Sequence, residues 1–386
     1  MKAPPSKSMA HRLIIGAALA KGKSIIRGVE YSEDISATLD CAEVLGAKIE
    51  RGDDHVTVDG TDFLSVNEAE LDCRESGSTL RFFIPLCMTA GGRYTLRGSD
   101  RLIARPLSVY EKIAGENDIA FNKKDGCITL SGELSKKTFE VAGDVSSQFI
   151  TGLAFALVRS GSGGEIKVIP PFESRPYVEM TVSALNKFGA RITFADNCIT
   201  IGGGALHPLN IEVEGDWSNA AFLDAHNLIG GSVEVTGLDT DSTQGDRAYR
   251  GYFEIMRHGA PVIDVSDTPD LAPILFAMAA CLNGATFTGT KRLAAKESDR
   301  AAVMAEELSK FGVTLDVKEN SVTVPKSVLH APTEPISKHN DHRVVMACST
   351  LLTLTGGEIE GCEDVRKSYP SYFETIKKLG AKVKLI

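Results

Sequence analysis

Apolar and polar positions recur along this chain with a long period. Six times, a polar residue opens a small, apolar stretch of helical length that stops at glycine. The openings are Ser8, Ser78, Ser147, Ser218, Asp270 and Asp341. The stops are Gly22, Gly91-Gly92, Gly161, Gly230-Gly231, Gly284 and Gly356-Gly357. The openings are about 70 residues apart, with one interval of about 50, and such a repeat governs the architecture. Each apolar helix is followed by a strand-like stretch, an amphipathic helix and a glycine stop. Those second stops rhyme: Leu45-Gly46-Ala47, Phe188-Gly189-Ala190, His258-Gly259-Ala260, Phe311-Gly312-Val313 and Leu379-Gly380-Ala381, with a weak version at Ala114-Gly115. Glycine after the last apolar position is a helix C-terminal signal. Alternating pairs such as Lys48-Ile49-Glu50 with Val56-Thr57-Val58, and Thr314–Val317 with Val322-Thr323-Val324, then read as hairpins.

The unit is therefore βαβαββ, six times over. One unit cannot bury both helix faces, so units must assemble. The fold class is α/β, with two similar domains of three units each. The apolar first helices lie inside and are surrounded by sheets, an inverse α/β barrel-like arrangement. The predicted boundary is at Glu214-Gly215-Asp216, giving a first domain of 6–215 and a second of 1–5 with 216–386. The Gly202-Gly203-Gly204 run follows a hairpin and precedes no helix, so it reads as a plain loop.

Composition narrows the function. At 386 residues, two domains are expected, and 43% hydrophobic with 24% charged residues is ordinary for a globular protein. A net charge of −9 argues against nucleic acid or an anionic membrane as partner. The eight cysteines are scattered without a Cys-x-x-Cys pair, which suits reduced thiols in the cytoplasm. No stretch has transmembrane length, and no secretory leader is evident.

Several openings carry cations. Ser or Asp at a helix start is a capping residue, and free backbone N–H groups there attract anions. In Pro4-Pro5-Ser6-Lys7-Ser8-Met9-Ala10-His11-Arg12, two prolines stiffen the approach, Ser8 caps the helix, and Lys7, Ser8 and Arg12 can face one anion. Gly77-Ser78-Thr79-Leu80-Arg81 repeats this logic. Ser146-Ser147-Gln148 offers hydroxyls and an amide without charge, suited to a hydroxylated substrate. Lys296-Glu297-Ser298-Asp299-Arg300 and Asn340-Asp341-His342-Arg343 set cations beside carboxylates. His339 and His342 lack the further ligands that a metal needs.

Taken in order, these segments, together with Arg101…Arg105-Pro106, Ser174-Arg175-Pro176-Tyr177, Asp270 and Lys367, resemble the enolpyruvyl transferases that make 5-enolpyruvylshikimate 3-phosphate. The resemblance spans almost the whole chain. It implies transfer of the enolpyruvyl group of phosphoenolpyruvate to the 5-hydroxyl of shikimate 3-phosphate, with release of phosphate, through a tetrahedral intermediate. By position, Lys7, Ser8, Arg12, Ser146, Ser147, Gln148, Ser174, Asp270 and Lys296 would hold shikimate 3-phosphate. Lys7, Gly77, Arg105, Gln148, Arg300, Arg343 and Lys367 would hold phosphoenolpyruvate. Asp270 would take the hydroxyl proton and Glu297 would protonate the methylene carbon, with Lys7 and Lys367 as catalytic cations. The first domain would mainly bind shikimate 3-phosphate and the second would complete the phosphoenolpyruvate site. No cofactor and no metal are implied, and sensitivity to glyphosate is.

The sister enzymes acting on UDP-N-acetylglucosamine usually have Lys-Asn where this chain has Lys7-Ser8, and a cysteine on the loop that here is Gly98–Pro106. A non-catalytic binding protein on this scaffold is the other alternative, and the joint presence of Lys7, Asp270, Glu297 and Lys367 speaks against it. Glu75, Arg292 and Ala294 depart from the family's usual residues. So does the start, where six residues precede Lys7 and the family usually has a strand. A monomer is expected, with a second domain of lower stability and an unpaired edge through which copies can associate.

Overall fold

The computed structural model describes residues 1–384. It has two compact units, one of Pro5–Glu214 and one of Met1–Pro4 with the chain from Gly215 onward.

The Pro5–Glu214 unit holds three complete repeats. In one, strand Glu68–Asp72 leads into helix Gly77–Ala90, strand Arg93–Arg97, helix Ser108–Gly115 and the hairpin Ala120–Lys124 with Cys127–Ser131. The first two strands pair in parallel (Leu71 opposite Leu96) and the remaining pairings are antiparallel. Thr138–Ile201 repeats the same order. The remaining sheet borrows its leading strand from the far end of the unit: Asn210–Glu212 pairs in parallel with Lys23–Arg27, Ile26 opposite Ile211. The ring of sheets thereby closes. Strand alternation does the rest, since Val56 and Val58 point inward while their neighbours are partly exposed.

The helices Lys7–Leu19, Gly77–Ala90 and Ser147–Arg159 fill the interior. Met9 through Ala18 are all buried, so the helix has no solvent face. Two of these helices cross closely at Gly152. A Cβ there would lie 2.5 Å from the Arg81 carbonyl oxygen, 2.3 Å from the Tyr110 hydroxyl and 2.9 Å from Pro85 Cγ. Phe82 and Phe155 pack edge to face beside this crossing, 5.5 Å apart.

The other unit departs from the expected six complete repeats. Its only four-stranded sheet among the described residues joins Val262–Asp264, Ala285–Thr288, Ser321–Val324 and Asp316–Lys318. The repeats before and after it keep their inner helices (Trp217–Asp224, His342–Thr355) and outer helices (Tyr249–His258, Tyr372–Lys378). Their strands shrink to single parallel bridges, Lys2 with Thr236 and Ile336 with Ile359. For the repeat that precedes this sheet the reason is chain length. After Gly259-Ala260 the chain meets Pro261 and enters Val262–Asp264, which already belongs to the next sheet. No residues remain for a hairpin, and the short interval of about 50 residues is its trace. The expected unpaired edge is partly covered, because Ala3 N donates to Thr236 O and Thr236 N to Met1 O, both at 2.9 Å. No helix among the described residues is long and apolar enough to cross a membrane.

Replacing Gly152 by Ala should destabilise the Pro5–Glu214 unit by about 1–3 kcal/mol, because the backbone at Arg81 cannot move aside as a side chain would. Urea unfolding monitored by hydrogen exchange over 77–159 checks this. Unchanged protection would mean that the two helices separate freely.

Candidate active site

Four of the six inner helices are capped one or two residues before their expected opening. Ser6, not Ser8, caps helix Lys7–Leu19, its hydroxyl accepting from Met9 N at 3.4 Å. Ser76, not Ser78, caps Gly77–Ala90. Ser146 caps Ser147–Arg159 and Asp216 caps Trp217–Asp224. Ser6 is extended (ψ 109°), as a capping residue is, and the helix begins at Lys7. The consequence is chemical: the Ser8 hydroxyl is not used for capping. Asp270 is not a cap either. Helix Ala272–Cys281 follows Leu271 without a side-chain cap, and the Asp270 carboxylate goes to cations. Asp341 does cap His342–Thr355, accepting from Arg343 N at 3.0 Å.

In the Pro5–Glu214 unit, Lys7 Nζ donates to Asp34 Oδ2 at 2.7 Å. Asp34 lies in the first turn of Glu33–Val44, which Ser32 caps. Behind them a hydrogen-bond chain ties three helices. His11 Nδ1 lies 2.7 Å from Thr38 Oγ1, Thr38 lies 2.7 Å from Thr79 Oγ1, and Thr79 donates to Ser76 Oγ at 2.7 Å. Burial, with help from Lys7 and Arg12, holds the His11 imidazole well below its ordinary pKa. Arg12 donates to Thr181 Oγ1 (2.9 Å), Ser8 O (2.6 Å) and Tyr177 O (2.8 Å). It is buried among neutral acceptors, and burial pulls it down to about 10. Arg12 thus seats helix Arg175–Lys187 on helix Lys7–Leu19. Ser174, which precedes that helix, is buried and left-handed (φ 56°), an unfavourable backbone for serine.

The second cluster of this unit surrounds Gly77. A Cβ on Gly77 would meet Arg105 Nη1 at 2.8 Å, Arg81 Nη1 at 3.4 Å and Gln148 Oε1 at 3.6 Å. Gln148 accepts from Arg81 Nη1 at 2.6 Å and donates to Ser78 Oγ at 3.1 Å. Arg105 Nε is buried without a partner. Thr79 Oγ1 also reaches Asp34 O at 3.5 Å, so Lys7, Gly77 and Gln148 belong to one connected surface of helix starts.

In the other unit, Arg300 is 1% exposed and gives each of its nitrogens to a different carboxylate. Nη1 reaches Asp270 at 2.8 Å, Nη2 reaches Glu297 at 2.8 Å and Nε reaches Asp341 at 3.0 Å. Burial alone would lower its pKa; Asp341, Glu297 and Asp270 reverse that and raise it well above the usual value. Asp270 also faces Lys296 at 3.4 Å and Arg343 at 3.6 Å. Burial would raise the Asp270 carboxyl, but Lys296, Arg300 and Arg343 together hold it well below the usual carboxylate range. Burial lowers the Lys296 ammonium, against the attraction of Asp270. Lys367 donates to Asn340 O at 2.8 Å and lies 3.6 Å from Asp364. Arg343 Nη1 donates to Asn219 Oδ1 at 3.3 Å, and Arg343 Nε is buried without a partner. Four cations (Lys296, Arg300, Arg343, Lys367) thus face four carboxylates (Asp270, Glu297, Asp341, Asp364).

Sequence reasoning missed Asp34, His11, Thr38, Asn219 and Asp364 as partners of these groups. Only Asp364 left a trace, three residues before Lys367 within the turn Cys362–Lys367.

The EPSP synthase (3-phosphoshikimate 1-carboxyvinyltransferase) family model matches residues 1–258 and 252–376. The chain is 36% identical to a 3-phosphoshikimate 1-carboxyvinyltransferase of Clostridium kluyveri, over 99% of this chain and 95% of the relative. It is 34% identical to that of Clostridioides difficile, with the same shares covered. Among solved structures, it is similar to EPSP synthase from Acinetobacter baumannii (TM-score 0.80, 23% identity, 100% and 96% covered). It also matches the enolpyruvyl transferase NikO from Streptomyces tendae (TM-score 0.73, 15% identity, 100% and 95% covered), a likeness of fold.

The His11 network carries a pH signature. A folded-state pKa held below about 6.5 means that the unfolded chain takes the proton first, so stability falls as pH drops below that value, by up to about 1.4 kcal/mol per unit. His11→Asn keeps a polar atom toward Thr38 and cannot titrate. Its denaturation midpoint should therefore fall less between pH 7.5 and 5.5 than that of the unmodified chain. Equal falls would remove His11 from the account.

Proposed function

The chain belongs to the EPSP synthase (3-phosphoshikimate 1-carboxyvinyltransferase) family, and on that premise we propose how its residues divide the work. The reaction is enolpyruvyl transfer in the shikimate pathway. Its substrates here are shikimate 3-phosphate and phosphoenolpyruvate, both small anions, and their phosphate and carboxylate groups call for Lys and Arg. Lys7, Ser8, Arg12, Ser146, Ser147, Gln148, Ser174, Asp270 and Lys296 bind shikimate 3-phosphate. Arg12 and Ser174 do so chiefly by fixing the segment that carries the contacts. Lys7, Gly77, Arg105, Gln148, Arg300, Arg343 and Lys367 bind phosphoenolpyruvate. The chain works as a cytoplasmic monomer.

One observation carries this reading: the Asp270 carboxylate is shared by Lys296, Arg300 and Arg343. Held that low, Asp270 is a poor base. Substrate anions that take over those cations remove the charges that depress it, and its pKa rises as the ligands arrive. Asp270 then accepts the proton of the 5-hydroxyl, whose oxygen bonds to the central carbon of phosphoenolpyruvate. Glu297 gives a proton to the methylene carbon, which completes the tetrahedral adduct. Elimination returns a methyl proton, expels phosphate and restores the double bond in the product. Lys7 and Lys367 balance charge as it shifts, and the carboxylates beside Arg300 stabilise the cation-like centre.

A coupled phosphate-release assay with the two substrates tests the function; absence of release with both present would sink it. Asp270→Asn and Glu297→Gln should each lower kcat on the order of 10²–10⁴-fold, far more than they weaken shikimate 3-phosphate binding measured by calorimetry. Near-normal turnover of Glu297→Gln would withdraw the acid role. Gly77→Ala places a methyl 2.8 Å from Arg105 Nη1. That guanidinium must shift, so the KM for phosphoenolpyruvate should rise and inhibition by glyphosate should weaken. An unchanged KM would show that Arg105 moves without consequence.

A further inference from the structure

Glu307 is fully buried, yet it belongs to none of the groups above. A buried carboxylate is costly unless every lone pair is used. Here Lys310 Nζ lies 2.8 Å from it, His339 Nε2 2.6 Å and Ser337 N 3.1 Å. Lys310 in turn donates to Pro335 O at 3.0 Å and Ser337 Oγ at 2.8 Å. Apart from Lys310, all these partners lie in 335–339, the segment that leads into Asn340-Asp341-His342-Arg343.

Helix Arg300–Lys310 carries Arg300 and Glu307 seven residues apart, which is two turns along one face. Arg300 holds Asp341 and Glu307 holds Ser337 and His339. The segment is therefore pinned at both ends. Between the pins, Asn340 is left-handed (φ 60°), and its carbonyl accepts from Lys367 Nζ at 2.8 Å. Asparagine is one of the few non-glycine residues that accept this conformation, which turns the chain between the two pins. We infer that Glu307 is a positioning residue that, through Ser337 and His339, holds the segment aiming Arg343 and Lys367 at the phosphoenolpyruvate anion. The inference rests on the functional reading above and deepens it.

Four variants test it: Glu307→Leu, Glu307→Gln, His339→Ala and His339→Gln. Glu307→Leu should raise the KM for phosphoenolpyruvate about tenfold, with kcat within about threefold and shikimate 3-phosphate affinity within about twofold. Glu307→Gln keeps an acceptor and should fall between. His339→Ala should give a smaller rise, and His339→Gln, which keeps an N–H donor, should restore it. Hydrogen exchange should show loss of protection at Ser337 and Arg343 while helix Arg300–Lys310 stays protected. The inference is overturned if the KM for phosphoenolpyruvate is unmoved, or if kcat and both KM values fall away together with helix protection while His339→Ala is silent. Should the unmodified chain not turn over these substrates, the functional reading fails, and protection at Arg343 alone decides whether Glu307 positions this segment.

Discussion

One buried guanidinium organises the unit that begins at Gly215. Arg300 has almost no water contact, so its charge must be met by protein. Asp270, Glu297 and Asp341 meet it from three different stretches of chain. Removing any one of them would leave the others with an imbalance that no solvent can repair. This explains why Asp270, Glu297, Asp341, Lys296 and Arg343 occur with Arg300 as a single lattice rather than as independent ion pairs. Within this cluster four cations are matched by four carboxylates. Any anion that approaches these cations must compete with the carboxylates already bound to them.

The Pro5–Glu214 unit solves the same problem without carboxylate crowding. Lys7 has Asp34, but Arg12 is satisfied by two carbonyls and a hydroxyl, and Arg105 keeps an unpartnered nitrogen. The His11–Thr38–Thr79–Ser76 chain links three helices through neutral groups, so the spacing of their N-terminal ends is fixed without spending the charges needed for ligands.

The repeat was legible because its two helices differ in character: one apolar all round, one amphipathic, each with a glycine stop. Helix starts were legible only to within two residues. A serine pair such as Ser6 and Ser8, or Ser76 and Ser78, offers two equivalent caps, and the choice between them is made by backbone conformation upstream. Asp270 misled for a different reason. An acidic residue before a helix is a good local cap, but three cations brought from 296, 300 and 343 outbid a backbone N–H, and no local pattern records them. Of the two reduced repeats, only the one between Ser218 and Asp270 was visible, as a short interval read as irregular spacing rather than as a missing hairpin. Asp34, Asn219 and Glu307 left no signal, since each acts on a residue far along the chain or on the backbone of another segment.

The closure of the first ring by Asn210–Glu212 has a further consequence. Ser6 N donates to Glu214 O at 2.8 Å, so the two ends of the Pro5–Glu214 unit meet inside that unit. Asp216 N donates to Pro4 O, also at 2.8 Å, and the ends of the other unit meet in the same way. Topologically, one module is inserted into the other through two chain crossings, Pro4–Pro5 and Glu214–Gly215. Cutting at Pro4–Pro5 and Glu214–Gly215 would excise the inserted module with all three of its sheets intact, and joining Pro4 directly to Gly215 would seal the host.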